Sequence, residues 1–251
     1  MSDKFTAFGK LHIPGQPLIL FNVWDAGSAV AVERAGAKAL ATGSWSVAAA
    51  QGFHDAEALP IDLALANATR IVAATGLPVS IDFESGYATD PGQTAANVAA
   101  LAATGAIGCN FEDQVIGAAP RTLYTIADQA GRISAIRQAV GPAFFINART
   151  DIFLVAPADA HDAAMVDAAI DRAHAYADAG ASGFFVPGLI DLTLLERVCK
   201  ASPLPVNFMA FSGALSADAV AATGIARISH GPGPYRLAMK ALEEAARAAF
   251  A

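Results

Sequence analysis

The chain has 251 residues, 55% of them hydrophobic and 16% charged, with a formal net charge of −7. That balance excludes disorder, and with no clustered Lys/Arg run it excludes a nucleic-acid partner gripped through phosphates. No apolar run reaches the ~18 residues of a membrane span, and Cys109 and Cys199 are too few for a disulfide framework or a zinc knuckle, so the expectation is a soluble, cytoplasmic protein with inert thiols.

The opening "MSDKFTAFGKLHIPGQP" mixes polar and apolar residues and predicts a surface helix rather than a signal peptide. From there one phrase recurs: a small turn, a few apolar residues, then a polar tip. It runs through "PLILFNVWDAG" (17–27), "AGAKALATGS" (35–44), "TGLPVSIDFESG" (75–86) and "TGAIGCNFEDQ" (104–114). It returns in "VGPAFFINARTD" (140–151), "AGASGFFVPG" (179–188), "SPLPVNFMAF" (202–211) and "TGIARISHGP" (223–232). Short β-branched or aromatic runs bounded by Gly or Pro predict strands buried on both faces. Between them, "AANVAALAATG", "QAGRISAIRQAVG", "VDAAIDRAHAYADAG" and "SADAVAATG" read as alanine-rich helices ending at Gly, and "YRLAMKALEEAARAAF" as a last helix.

Strands alternating with helices over this length predict a single-domain α/β chain, a (β/α)8 TIM barrel over residues 1–251. A doubly wound sheet is the rival, but "WDAGSA" is not the Gly-rich first turn such a sheet carries. The gap at 45–60 is expected to form a loop on the catalytic face.

Barrel chemistry sits at the C-terminal strand ends. The polar residues there are Asn22, Asp25, Thr42, Gly43, Ser44, Asp82, Glu84, Asn110, Glu112 and Asp113, then Asn147, Arg149, Asp151, Asn207, Ser229 and His230. In "VSIDFESGYATD", Asp82 and Glu84 stand at i and i+2, a spacing that puts both on one strand face. Either acid alone is accommodated by helix capping or by pairing with Arg149. Asp82, Glu84 and Glu112 together would leave uncompensated charge in a low-dielectric pocket unless a cation joins them. Oxygen donors of this kind suit Mg²⁺ or Mn²⁺, and a guanidinium suits a substrate carboxylate; a strand-end ion pair from Arg149 to Asp113 or Asp151 is the structural alternative. His230 reads as an ordinary loop residue and Cys109 as packing. Lys4, Lys10, Lys38, Lys200 and Lys240 all miss the strand ends, which counts against Schiff-base chemistry.

At "FNVWDAGSA", "TGS", "IDFESGY", "NFEDQ" and "INARTD" the sequence resembles the isocitrate lyase and phosphoenolpyruvate mutase superfamily, from about residue 18 to 240. The resemblance implies a barrel that exchanges its final helix between neighbours in a homo-oligomer, a dimer or a homotetramer. It implies a Mg²⁺-dependent enzyme acting on a small 2-oxo (di)carboxylate through its enolate. It makes Asp82 the acid that touches the metal, Glu84 and Glu112 the acids that hold its waters, and Asp55 a more distant member counted with Arg149 as catalytic. Thr42, Gly43 and Ser44 would take the substrate carboxylate, Arg149 the keto-acid end, and Asn207 would contribute to substrate binding.

The departure is the loop after the fourth strand. It reads "VIGAAPRTLYT", without the K-[KR]-C-G-H motif of the lyases or the Lys-x-Asn-Ser of the mutases. That favours decarboxylation of an oxaloacetate-like acid, where CO₂ leaves without an acid at that position, with Tyr87, Arg121, Tyr124 or His230 as sources of a later proton. Cleavage of a 2-methylisocitrate-type acid or a phosphonopyruvate is the alternative in chemistry. A phosphosugar barrel using "FSGALS" and "SHGPGP" for phosphate, and a barrel that binds 2-oxo acids without turnover, complete the readings.

Overall fold

The computed structural model describes residues 2–210 and 215–251, the side chain of Ser2 excepted. Helix α1 (Ser2–Lys10) leads into β1 (Leu18–Leu20), α2 (Ala26–Arg34), β2 (Leu40–Ala41), α3 (Ser44–Ala50) and α4 (Ile61–Ala73). Strand β3 (Val79–Asp82), α5 (Pro91–Ala103), β4 (Gly108–Glu112), α6 (Ile126–Val140) and β5 (Phe145–Arg149) follow. The chain continues through α7 (Ala163–Asp178), β6 (Gly183–Phe185), α8 (Leu192–Ala201), β7 (Val206–Met209), α9 (Ala217–Ala221), β8 (Arg227–Ser229) and α10 (Gly233–Phe250).

All strand pairs are parallel, in the order β1-β8-β7-β6-β5-β4-β3-β2. The ring closes between β1 and β2 through a bridge from Val23 to Thr42. Asn22 reinforces that seam: its Nδ2 donates to the Thr42 carbonyl at 2.8 Å, and its Oδ1 accepts the His230 and Gly231 N–H groups at 2.8 and 3.0 Å. This is a (β/α)8 barrel. The strand alternation sorts the residues: Val79, Ile81, Cys109, Phe111, Ile146 and Ala148 join the outer core under the helices, while the residues between them face inward.

The helix boundaries follow from local chemistry. Asp25 caps α2 in a reciprocal capping box with Ser28, and Asp90, Thr125, Asp162, Asp191 and Ser216 cap α5 to α9 by the same kind of bond to backbone N–H. Asp25 is thus spent on a cap, not on the site. The 45–60 segment corrects the expectation of a loop throughout: Ser44–Ala50 is the first turn and body of α3, because "SWSVAAA" follows the β2 tip directly and packs Val47 and Ala48 inward.

The barrel floor is plugged by α1. Phe8 is fully buried against Leu18, Leu20, Ala39, Ala41, Ile107 and Phe145. His12 stacks on Phe145 with ring centroids 4.6 Å apart, and its Nδ1 bonds to the Phe8 carbonyl at 2.9 Å. Burial, with the Arg227 charge adding to it, pulls His12 down to about 4 from 6.5. The folded protein therefore holds a neutral ring where the unfolded chain takes a proton. Stability from this group is complete above pH 6.5 and drains as pH falls towards the folded value of about 4. Urea midpoints at pH 7.5 and 4.5 are expected to show wild type losing roughly 2 to 3 kcal/mol more than His12→Phe across that interval; equal losses would place His12 in water.

Helix α10 departs from the pattern. Arg236, Lys240, Glu243, Glu244 and Arg247 form one polar stripe and the rest is apolar. Yet only Pro234 is buried, and Leu237 and Leu242 are 63% exposed and Phe250 88%. On the barrel wall, Ile19 and Phe21 lie open beside Val32 of α2 and Ala35 just after it, in a groove of about 690 Å³. A parallel sheet is normally covered on both faces. Among the described residues no helix is long and apolar enough to cross a membrane.

Candidate active site

A cavity of about 190 Å³ opens at the C-terminal mouth, and Gly43, Ser44, Asp55, Asp82 and Arg149 all line it. Asn22, Asn110 and Ser229 lie around its base, and Trp45, Leu154, Phe185 and Met209 make an apolar wall. Glu84 lies in a small adjoining hollow with Thr42, Ser44, Asp82 and Tyr87.

Asp82 ends β3 and is gripped at both oxygens. Oδ2 accepts the Ser44 N–H at 2.9 Å and Oδ1 accepts Asn110 Nδ2 at 3.2 Å, while the Asp82 N–H donates to Thr42 Oγ1 at 2.8 Å. Thr42 is buried, so its hydroxyl builds the shelf rather than facing the cavity. Ser44 Oγ donates to Asp55 Oδ1 at 3.2 Å.

Glu84 reaches the cluster by a route the i, i+2 spacing did not foresee. The strand stops at Asp82, and Glu84 takes φ 51 and Tyr87 φ 57. Across from them Ala56 and Glu57 take φ 70 and 57. Such backbone costs ~1–3 kcal/mol per residue and persists only where neighbours enforce it. Here the two loops lock each other: the Glu57 N–H donates to Glu84 Oε2 at 2.7 Å, and Glu57 Oε1 accepts the Ser85 and Tyr87 N–H groups at 3.1 and 2.8 Å. Arg132, buried between the rings of Phe111 and Tyr124, donates to the Ser85 and Ala88 carbonyls from beneath. Gly86, at φ 81, is required, since a Cβ there would meet Thr94 Cγ2 at 2.8 Å.

Charge at the mouth is one-sided. Burial, then Asp55 and Asp82, push Glu84 up to about 8. Burial and Asp82 likewise raise Asp55. Burial raises Glu112 against the pull of Arg149, whose Nη1 sits 2.8 Å from Glu112 Oε2. Arg149 also forks onto Asp151, with Nε at 2.5 Å and Nη2 at 2.9 Å. The alternative ion pair to Asp151 is therefore formed, and with Glu112 it holds the guanidinium charged despite burial. Two Nη hydrogens stay uncommitted by these bonds, and Arg149 is the only cation among the described residues lining the cavity.

Several candidates fall elsewhere. Asn207 is buried below the cavity, accepting from Ser229 Oγ at 3.3 Å, and does not line it; its place on β7 is one layer too deep. Asp113 is a structural anchor, accepting the Asp151 N–H at 2.9 Å, Arg172 at 3.0 Å and the Tyr176 hydroxyl at 2.8 Å. His230 packs on Phe21 outside the cavity. Burial and the surrounding carboxylates push the Tyr87 hydroxyl up, so it keeps its proton. Tyr124 is spent on Arg132, and Arg121 is exposed. Of "FSGALS", residues 211–214 lie outside the described residues.

Sequence reasoning missed Glu57, which carries no signal in a loop of ordinary composition. It also missed Arg227, a charge inside the apolar run "ARIS" of β8 and fully buried. Burial pulls Arg227 down to about 9, against the field of Asp82.

The acid-lined mouth on a (β/α)8 frame now has relatives. The sequence model of the family described as phosphoenolpyruvate phosphomutase matches residues 8–250. The chain belongs to that family, within the isocitrate lyase and PEP mutase superfamily. A solved structure of a phosphonomutase-like protein from Burkholderia cenocepacia J2315 is 49% identical, with a TM-score of 0.95 and 99% of each chain covered. The 2-methylisocitrate lyase of Salmonella typhimurium (strain LT2) is 31% identical over 78% of this chain and 70% of its own length. The oxaloacetate decarboxylase of Pseudomonas paraeruginosa (strain DSM 24068 / PA7) is 30% identical over 72% of this chain and 62% of its own.

Proposed function

We propose that this chain is a Mg²⁺-dependent lyase acting on a small 2-oxo carboxylate, with decarboxylation of an oxaloacetate-like acid as its concrete form. The carrying observation is Asp82, presented by two donors to a cavity that Asp55 also lines, with Glu84 in the hollow beside it and neither acid in an ion pair among the described residues. Such a donor set fits a hard cation, Mg²⁺ or Mn²⁺. Among the described residues no three acids, histidines or cysteines converge as direct ligands. That suits a cation which keeps several waters: Asp82 would touch it, and Glu84, Glu112 and Asp55 would hold its waters.

When bound, the metal polarises the 2-oxo group and stabilises negative charge developing as the neighbouring bond breaks. Arg149, squared by Asp151 and Glu112, offers its free Nη hydrogens to the substrate carboxylate. Gly43 and Ser44 line the same cavity. Leu154, Phe185 and Met209 keep water from the reacting carbon. No acid is needed for CO₂ to depart, which agrees with a 115–125 loop lacking Cys, His and Lys.

A second reading, a 2-methylisocitrate-type acid, is favoured by that same apolar wall, which suits an alkyl substituent better than a second carboxylate. We also propose a homo-oligomer in which α10 of one copy covers the β1 groove of another. Two free thiols, Cys109 buried and Cys199 half-buried, agree with a cytoplasmic setting.

Calorimetric titration of metal-stripped protein with oxaloacetate, 2-oxoglutarate and pyruvate, with and without Mg²⁺, tests the function. Metal-dependent binding of oxaloacetate with pyruvate release is the expected result. Metal-dependent binding without release would favour the alkyl-bearing substrate or a binding role, and no binding at all would sink the metal reading.

A further inference from the structure

Beneath the cavity floor the barrel interior holds a relay of neutral groups that ends on one guanidinium. Arg227 is fully buried on β8. It donates from Nη2 to Asn110 Oδ1 at 3.3 Å and from Nε to Ser229 Oγ at 3.2 Å, and among the described residues its Nη1 has no partner. Both partners are neutral. A guanidinium withdrawn from water with no carboxylate in contact is costly, and an apolar residue would pack this space at less expense. Its presence calls for an explanation in the groups above it.

Asn110 supplies the link. Its Oδ1 accepts from Arg227 and also from Asn147 Nδ2 at 2.8 Å, while its own Nδ2 donates to Asp82 Oδ1 at 3.2 Å. Two donors on Oδ1 leave the amide one orientation. Turned over, its NH₂ would confront two other donors and its oxygen would confront a carboxylate. Asp82 is thus held from α3 on one oxygen and, on the other, by a relay that begins at β8.

We propose that Arg227 is a positioning residue for the metal shelf: it locks the Asn110 amide so that Nδ2 faces Asp82, and thereby fixes the carboxylate that meets the cation. The metal half of this inference rests on the function proposed above; the relay itself stands without metal. Arg227 differs in this from Arg149, which lines the cavity and pairs directly with Glu112 and Asp151.

The test has one arm for each half. In a crystal structure of metal-free Arg227→Met, the Asn110 amide, left with Asn147 as the one donor to Oδ1, is expected to shift towards Asn147 and to lose its Nδ2 contact with Asp82 Oδ1. Asn110 and Asp82 unmoved would overturn the proposal. In Mn²⁺ titrations followed by electron paramagnetic resonance, Arg227→Met is expected to bind roughly 10-fold more weakly, the lower end of what removing a ligand's supporting partner costs. In an Asn110→Ala background the same substitution is expected to change nothing further, because the relay is already cut; a full additional loss would overturn the relay. Asn147→Ala, which removes the other donor to Oδ1 and keeps the buried charge, serves as the second variant if Arg227→Met does not fold, and is expected to weaken Mn²⁺ in the same direction. Wild type that takes up no Mn²⁺ would defeat the metal reading of Asp82, with the crystallographic arm still deciding the relay.

Discussion

Asp82→Ala is expected to erase the Mg²⁺ response while leaving the metal-free protein as stable as wild type, or more so. The two halves come from the same charges. Among the described residues Asp82 makes no ion pair; its partners are the Ser44 N–H and the Asn110 amide. Its field is one reason Asp55 and Glu84 are raised, Glu84 to about 8. Removing it relieves repulsion among buried acids, which offsets the lost hydrogen bonds and the lost attraction to Arg149 and Arg227. With metal present the balance reverses. A cation at 100 times its Kd stabilises wild type by about 2.7 kcal/mol, or roughly 5 to 10 °C in Tm for a chain of this size. Thermal melts with and without Mg²⁺ separate the cases. A large wild-type shift that vanishes in Asp82→Ala supports the shelf. A metal-free variant that melts far below wild type would make Asp82 a structural residue, and an undiminished Mg²⁺ shift would move the metal elsewhere.

The second large effect concerns α10. Leu237→Glu together with Leu242→Glu is expected to convert the proposed homo-oligomer to monomers without unfolding the barrel. Both side chains are 63% exposed in the single chain, so charging them costs the isolated fold almost nothing. Buried in the β1 groove of another copy, each leucine would contribute about 1.5–3 kcal/mol, and a reciprocal exchange doubles that. Ile19 and Phe21, 44% and 41% exposed, would supply the receiving surface. Sedimentation of wild type and the double variant reads the outcome. Wild type sedimenting as a monomer would refute the exchange, as would a variant that stays assembled. The relation to function is short-range: Tyr235 and Arg236, at the base of α10, pack on Trp45 of the cavity wall, with the Tyr235 ring 5.9 Å and the Arg236 guanidinium 4.7 Å from it.

Much of this was legible in the chain because it depends on local chemistry. Strands buried on both faces must be apolar and short, so "PLILF", "GLPVSI" and "GPAFFIN" announce themselves, and the Gly that follows α5 and α7 answers to a positive φ, 93 at Gly105 and 100 at Gly180. The parallel order then places Asp82, Glu112 and Arg149 at one end of the barrel. What the sequence could not decide was how far each polar residue reaches. Asn207 and Ser44 both sit near strand ends, yet one is sealed beneath the floor and the other lines the cavity, because strand stagger sets the layer. Glu84 misled by alternation: the strand stops two residues before it, and a left-handed turn held by Glu57 brings it back to the cluster. Glu57 and Arg132 act through contacts 27 and 47 residues away in sequence, and no window of the chain contains them. The sequence by itself determined the barrel, its acid-rich mouth and the one arginine facing it. Which acids stand free, which are paired and which residues hold them was decided by tertiary structure alone, since charge balance in a buried site depends on distances between strands and loops that only folding sets.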